Sequence, residues 1–181
     1  MTTVVFETHS TSEHNEAGIA TGWLGGALSA AGRAQAIELG ERRRDDGIEL
    51  VVVSDLWRAV ETAAIAFEGS SIPLRVDWRL RECDYGELNG MPRSLLDEQR
   101  STRIDEPWPG GESWRQAVAR VSSFLDEVRG DRVLVIGHVA TRWALDQRVN
   151  GRMLEELAVE EFDWRPGWEY ELPESLDQGL Y

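Results

Sequence analysis

The chain has 181 residues, 41% of them hydrophobic and 29% charged, which is enough apolar material for one buried core. Its net charge of −14 excludes a broad nucleic-acid surface, because phosphate backbones need a basic footprint, and it excludes docking on anionic lipid for the same reason. All 19 basic residues are arginine, and the absence of lysine removes Walker-type phosphate loops, Schiff-base chemistry and lysine nucleophiles. Val4–Phe6 reads as a buried strand that runs into a polar loop rich in Thr, Ser, Asn and Gly. Ser29 is placed to cap a helix reaching Asp46, with Arg42–Arg44 near its negative end and Gly47 to stop it. Leu50–Val53 is a second buried strand, and Ser54 at its end leads into a helix with Ala59, Val60, Ala63, Ala64 and Phe67 along one face. Ile72, Leu74 and Val76 alternate as a shorter strand would.

Arg79–Pro92 and Arg103–Glu112 are irregular, the second broken by Pro107, Pro109, Gly110 and Gly111. Ser113 and Gln116 form a capping box before a helix carrying Trp114, Val118, Val121, Leu125 and Val128, which Gly130 ends. Val133–Ile136 is the most buried-looking strand, followed by a helix up to Asn150-Gly151. Val159–Trp164 and Glu169–Leu172 read as a closing hairpin around Arg165-Pro166-Gly167. Strands alternating with helices predict an α/β fold: a three-layer sandwich with a mostly parallel central sheet and helices on both faces. No repeat or linker divides it, so residues 1–181 are expected to form a single domain with 173–181 as a peripheral tail. Cys83 has no second cysteine to pair with, no apolar run is long enough to span a bilayer, and Thr2-Thr3 lead into the first strand without a basic segment. A cytoplasmic location is the expectation, and a homodimer is compatible with it.

In sheets of this kind ligands sit beyond the carboxyl ends of the strands, which singles out His9, Ser54 and His138. A histidine attacks phosphorus competently when its second ring nitrogen is held by a hydrogen bond that fixes the tautomer. The reaction also needs positive groups around the phosphoryl oxygens and an acid for the leaving alkoxide. Arg58 can grip the oxygens with its planar fork, and the helix after His138 offers backbone amides and a favourable dipole. None of His9, His14 and His138 stands in an HExxH-like spacing, so no metal and no cofactor is expected. No G-x-S-x-G elbow supports serine hydrolysis.

Six segments, in order, make the chain resemble the histidine phosphatase superfamily, the phosphoglycerate-mutase-like proteins. Thr8-His9-Ser10-Thr11-Ser12-Glu13-His14-Asn15 is similar to the family's Arg-His-Gly-x-Thr-x-x-Asn. Leu28-Ser29-Ala30-Ala31-Gly32-Arg33-Ala34-Gln35-Ala36 and Ser54-Asp55-Leu56-Trp57-Arg58-Ala59-Val60-Glu61-Thr62-Ala63 match its next two. Leu80-Arg81-Glu82 with Gly86 and Gly90, then Pro109-Gly110-Gly111-Glu112-Ser113, then Val133–Ile136 running into Gly137-His138, complete the set.

The resemblance implies that His9 is the phosphorylated nucleophile and that Arg58 and His138 hold the phosphoryl oxygens. It implies that Glu82 is the general acid and then the base, and that Asn15 shapes the phosphate pocket. Thr8 stands where the family has its first phosphate arginine. Losing one charged partner from a desolvated phosphate site costs about 2–5 kcal/mol if nothing replaces it, a rate loss of roughly tenfold to several thousandfold. Arg142, one turn after His138, is the first candidate to fill that gap, ahead of Arg81 and Arg93. Ser10 and Val139 replace family glycines and add side chains beside the pocket. His14 is expected to be structural, Cys83 a buried filler, and Trp23, Trp108 and Trp143 candidate pocket walls.

The expected activity is a phosphatase hydrolysing a small phosphomonoester through phospho-His9, its partner being a small phosphorylated metabolite. The family's mutases tend to carry longer inserted segments than this chain has, which places a phosphomutase second. Thr8 supports a further alternative, a non-catalytic member that binds a phosphorylated ligand or regulates a partner.

Overall fold

The computed structural model describes residues 1–162 and 164–173. Among these, β1 (Thr2–Thr8), β2 (Leu50–Val53), β3 (Leu74–Val76), β4 (Arg132–Gly137) and β5 (Trp168–Leu172) form one sheet in the order β3-β2-β4-β1-β5. The first four run parallel, and β5 pairs antiparallel with β1. The helices are α1 (Glu13–Glu16), α2 (Ala30–Arg43), α3 (Trp57–Ala66), α4 (Arg93–Asp97), α5 (Trp114–Leu125), α6 (Val139–Asn150) and α7 (Leu154–Val159).

The strands alternate, and the two faces bury separate clusters. Leu134 and Ile136 of β4 pack with Leu39 of α2 and with Ala59, Ala63 and Ala66 of α3. Val133 and Val135 face the other way, toward Val121 of α5, Ala144 of α6 and Leu157 of α7. The sheet therefore has helices on both faces, as the alternation of strands and helices predicts. Ser29 caps α2 by accepting the Gly32 N–H, and Ser113 with Gln116 completes the capping box of α5.

One expected element is different. The described residues of Val159–Trp164 form no strand paired with Glu169–Leu172: Val159 ends α7, and β5 takes β1 as its partner, with Phe6 opposite Trp168 and Val4 opposite Tyr170. Leu154, Leu157 and Ala158 are buried at helical spacing, while Val159 is 73% exposed, so the 3.6-residue period overrides its β-branched side chain. The alternation of Trp168, Tyr170 and Leu172 is real, but it fills the open edge of β1. Most of the expected tail, residues 174–181, lies outside the described residues.

Candidate active site

Register sets the site. Thr8 lies opposite Gly137, and Val53 opposite Ile136, so the residues that follow (His9, His138 and Ser54) emerge side by side. The rings of His9 and His138 are 5.0 Å apart between centroids. His9 Nδ1 lies 2.7 Å from the Ser10 carbonyl oxygen. A carbonyl only accepts, so Nδ1 carries the proton and Nε2 keeps its lone pair. The Arg58 Nε–H donates to that Nε2 at 3.3 Å. His138 Nδ1 faces an Arg58 Nη2 donor at 3.3 Å, so its Nε2–H donates to Ser54 Oγ at 3.0 Å. Burial first, then the charge of Arg58, lowers the His9 pKa to about 3, opposed by the Ser10 hydrogen bond. Burial, Arg58 and His9 hold His138 well below the ordinary imidazole value. Both imidazoles are neutral at pH 7, each with a lone pair turned to one guanidinium.

That guanidinium is 2% exposed. Besides the imidazoles, Arg58 donates to the carbonyl oxygens of Gly22 at 2.9 Å and Leu24 at 3.4 Å. All its direct partners are neutral, and burial lowers its pKa to about 10, partly offset by Glu82 and Tyr85, so it stays charged at pH 7. A buried cation on neutral partners is suited to an incoming anion.

The amides at the start of α6, expected to receive that anion, already hold one. Val139 N–H donates to Glu82 Oε2 at 3.2 Å, and Glu82 Oε1 accepts from Ala140 N–H at 3.2 Å and Cys83 N–H at 2.9 Å. Glu82 is thus fastened across the helix N-terminus beside His138. Its backbone is clamped as well: its carbonyl accepts from Trp23 Nε1 at 2.7 Å and from Arg120 Nη2 at 3.1 Å.

These groups open into a cavity of ≈ 410 Å³ whose lining includes His9, Arg58, Glu82 and His138. Its lining also includes Tyr85, Trp108, Trp114 and Trp143. Tyr85 meets Trp108 edge-on with ring centroids 5.4 Å apart, and Trp114 and Trp143 lie 4.3 Å apart. The segment after Glu82 and the Pro109–Gly111 turn touch backbone to backbone here. A Cβ at Gly86 would fall 2.1 Å from the Pro109 oxygen, and one at Gly111 2.2 Å from the Asp84 oxygen. Glycine is what lets the two irregular segments close into a wall.

The family model described as histidine phosphatase superfamily (branch 1) matches residues 5–163. The chain belongs to this superfamily. It is 33% identical over 176 residues to a 2,3-bisphosphoglycerate-dependent phosphoglycerate mutase of Methylobacterium sp. (strain 4-46), covering 85% of this chain and 83% of that relative. A Streptococcus uberis mutase of the same description is 39% identical over 104 residues, which is 55% of this chain and only 45% of the relative. Among solved structures, a mycobacterial glucosyl-3-phosphoglycerate phosphatase in complex with VO3 superimposes with a TM-score of 0.75 at 26% identity, covering 87% of this chain and 86% of that one. Bacillus stearothermophilus YhfR reaches a TM-score of 0.81 over 96% of this chain and 92% of its own; at 24% identity this is a likeness of fold.

The fold of this histidine phosphatase superfamily member gathers Thr8, His9, Asn15, Arg58, Glu82, His138, Val139 and Arg142 around the one cavity. Ser10 is not in that lining; it is 5% exposed, lies behind His9, and meets the site through the carbonyl that orients the ring. Asn15 Oδ1 is occupied by Ser12 N–H at 2.9 Å in the capping box of α1. Arg142 lies over the Trp168 ring at 4.7 Å and forms an ion pair with Asp146 at 3.4 Å. Arg81 is committed elsewhere, in a two-pronged bond to Asp55 at 2.7 and 2.6 Å, and does not line the cavity. Arg93 does line it, ion-paired with Asp97.

Trp108 and Trp143 are cavity walls as expected, whereas Trp23 instead braces Glu82. His14 is outside the lining, and Cys83 is a fully buried filler whose thiol pKa burial pushes up. Sequence reasoning missed Tyr85, Arg100, Trp114 and the strut Arg120. The aromatic wall had a signal in tryptophans close to the glycine motifs; Arg120, on a helix face, had none.

Proposed function

We propose that the protein is a phosphatase that hydrolyses a small phosphomonoester through a phosphohistidine on His9. The observation that carries this reading is the His9 tautomer: Nδ1–H is tied to the Ser10 carbonyl, which leaves the Nε2 lone pair beside the Arg58 guanidinium. In the proposed reaction a phosphomonoester entering as its monoanion gives its proton to the Glu82 carboxylate, Nε2 attacks phosphorus, the bond from phosphorus to the leaving oxygen breaks, and that oxygen takes the proton from Glu82. Water then loses a proton to the Glu82 carboxylate and attacks the phosphohistidine; the phosphate leaves with that proton, which restores His9 and the Glu82 carboxylate. Phosphoryl oxygens competing for the Val139 and Ala140 amides would free Glu82 from α6 to carry the proton. Arg58 and His138 would hold the equatorial oxygens, with Asn15 and Val139 at the rim of the phosphate pocket and Arg142 supplying the second cation that Thr8 lacks.

The solved mycobacterial relative that carries vanadate is a phosphatase, which favours hydrolysis. The Methylobacterium relative is a mutase, which favours phosphate transfer back to the substrate's own hydroxyl as the second reading. One assay orders them: an aryl phosphate is incubated with wild type and with His9→Ala, and free phosphate is measured. Wild type should release phosphate, and the variant should lose at least about 10³-fold. Equal rates in the two would remove the nucleophile, and isomerised phosphoglycerate without free phosphate would make the mutase reading the better one.

A further inference from the structure

Gln35 and Thr62 stand in the two helix segments that resemble family motifs, yet neither lines the cavity. Both side chains reach instead to the loop that leaves β1. Gln35 comes from α2 and Thr62 from α3, two helices on the same face of the sheet. The Thr62 hydroxyl is fully buried and gives its one proton to the Arg58 carbonyl, a turn back on α3, at 2.7 Å. Only lone pairs are left to it, and with one of them it accepts from the Ser10 N–H at 3.0 Å. Gln35 Oε1 accepts from the Thr11 N–H, also at 3.0 Å.

These two bonds fall on the two peptide planes that flank Ser10. One plane holds the His9 carbonyl and the Ser10 N–H. The other holds the Ser10 carbonyl and the Thr11 N–H, pointing in opposite directions across one rigid trans peptide. That Ser10 carbonyl is the group 2.7 Å from His9 Nδ1. If the plane turned, Nδ1 would lose its acceptor, and the imidazole would be free to carry its proton on Nε2, the nitrogen that faces Arg58. Turning it breaks the Gln35 bond at its amide end and strains the Thr62 bond on the plane before it. The next carbonyl, that of Thr11, accepts from the Ser29 N–H at 3.0 Å, and a Cβ at Gly32 would fall 1.9 Å from it. Three successive peptides are thus fastened to α2 and α3.

We infer that Gln35 and Thr62 are positioning residues for His9: by clamping the peptides on either side of Ser10, they aim its carbonyl at Nδ1 and keep the Nε2 lone pair free to attack. The inference rests on the phosphatase reading for its reaction and on the loop geometry for the tautomer. In a Ser-His-Asp triad, holding the histidine in the wrong tautomer lowers kcat about 10⁴-fold. Loosening the acceptor is milder than reversing it, so the loss expected here is about tenfold or more.

The test reads tautomer and rate separately. In protein with isotope-labelled imidazole nitrogens, NMR shifts near neutral pH tell a protonated ring nitrogen from a bare one, with His9 assigned by its absence from His9→Ala. Wild type should show His9 protonated on Nδ1 alone. Gln35→Met keeps the length of the side chain and Thr62→Val its shape, while each removes the acceptor. Each should bring Nε2-protonated His9 into view and lower kcat on an aryl phosphate about tenfold or more, with KM moving less than about threefold. Gln35→Glu and Thr62→Ser keep an acceptor oxygen and should restore both readings. Arg44→Ala frees α2 from the Ala66 carbonyl at the end of α3, away from the loop, and should cost stability without moving tautomer or kcat. Gln35 is only half-buried, so Gln35→Met decides alone if Thr62→Val does not fold. An unchanged tautomer or kcat in the folded variants, or a loss that Gln35→Glu and Thr62→Ser do not restore, would overturn the clamp. A tautomer that shifts as expected in a protein that hydrolyses no phosphomonoester sinks the phosphatase reading and keeps the clamp; hydrolysis that needs His9, with the tautomer unmoved in the variants, does the reverse.

Discussion

At the scale of single residues, position 8 carries a threonine where the superfamily motif has an arginine. Thr8 lines the cavity without a charge, and among the described residues the only buried cation touching both imidazoles is Arg58. Arg142 is 15% exposed in its side chain and enters the lining from the first turn of α6, where its Nε approaches Asp146 at 3.4 Å without a hydrogen bond. Its guanidinium is held by Asp146 and by the Trp168 and Phe162 rings, so it stands ordered in the lining where an anion could share it. Arg142→Ala should therefore weaken vanadate affinity by about tenfold or more, measured by isothermal titration, whereas Arg81→Ala should change it little because Arg81 is locked to Asp55. Unchanged affinity in Arg142→Ala would leave Arg58 as the sole cation. The histidines themselves were legible in the sequence because each follows an apolar strand. Glu82 was legible only through a motif: nothing in an acidic residue among 33 foretells that its oxygens will land on the amides of a helix that begins 57 residues later.

At the scale of elements, long apolar runs and capping boxes told where strands and helices lie, since those signals are local. Pairings between distant segments were not legible, and the misassigned hairpin is one instance: the alternation in β5 gives a face but does not name a neighbour. Arg120 is the clearest case. It sits on α5 and donates to the carbonyls of Arg79 and Arg81 at 2.8 and 3.0 Å and to that of Glu82 at 3.1 Å, while gripping Glu112 at 2.9 and 2.7 Å. One side chain thereby ties the segment bearing Glu82 to the turn before α5. Arg120→Ala would leave the half-buried Glu112 carboxylate without its cation and take a donor from the Arg79 and Arg81 carbonyls, while the Glu82 carbonyl keeps the Trp23 indole. Losses of about 3–5 kcal/mol are typical when one partner of a buried pair is removed. Urea unfolding should show a drop approaching that size, with hydrolysis falling as Glu82 loses its clamp. A change below about 1 kcal/mol would mean that α5 and the turn are held by packing alone.

At the scale of the whole molecule, the site should bias how stability responds to pH. The folded protein keeps His9 neutral down to about 3 and His138 neutral well below the ordinary value, while the unfolded chain protonates both near 6.5. Below about 6.5 the unfolded state therefore binds more protons, and stability falls as the pH drops, by up to about 1.4 kcal/mol per pH unit for each histidine. Above 6.5 neither state is protonated and this contribution is flat. Asp46 and Asp77, lowered by their arginine partners against the cost of burial, add a loss of the same sign only once the pH falls below about 4. The net charge of −14 works the other way, because protonating surface carboxylates relieves self-repulsion. Comparing wild type with a His9→Asn, His138→Asn double variant cancels that background. Between pH 6.5 and about 4.5 the wild type should lose stability faster than the variant, and the two curves should run parallel above pH 7. Parallel curves across the whole range would mean that the imidazoles are not held neutral by the fold, and the lone pair that the proposed phosphoryl transfer to His9 needs would then be lost in mildly acidic solution.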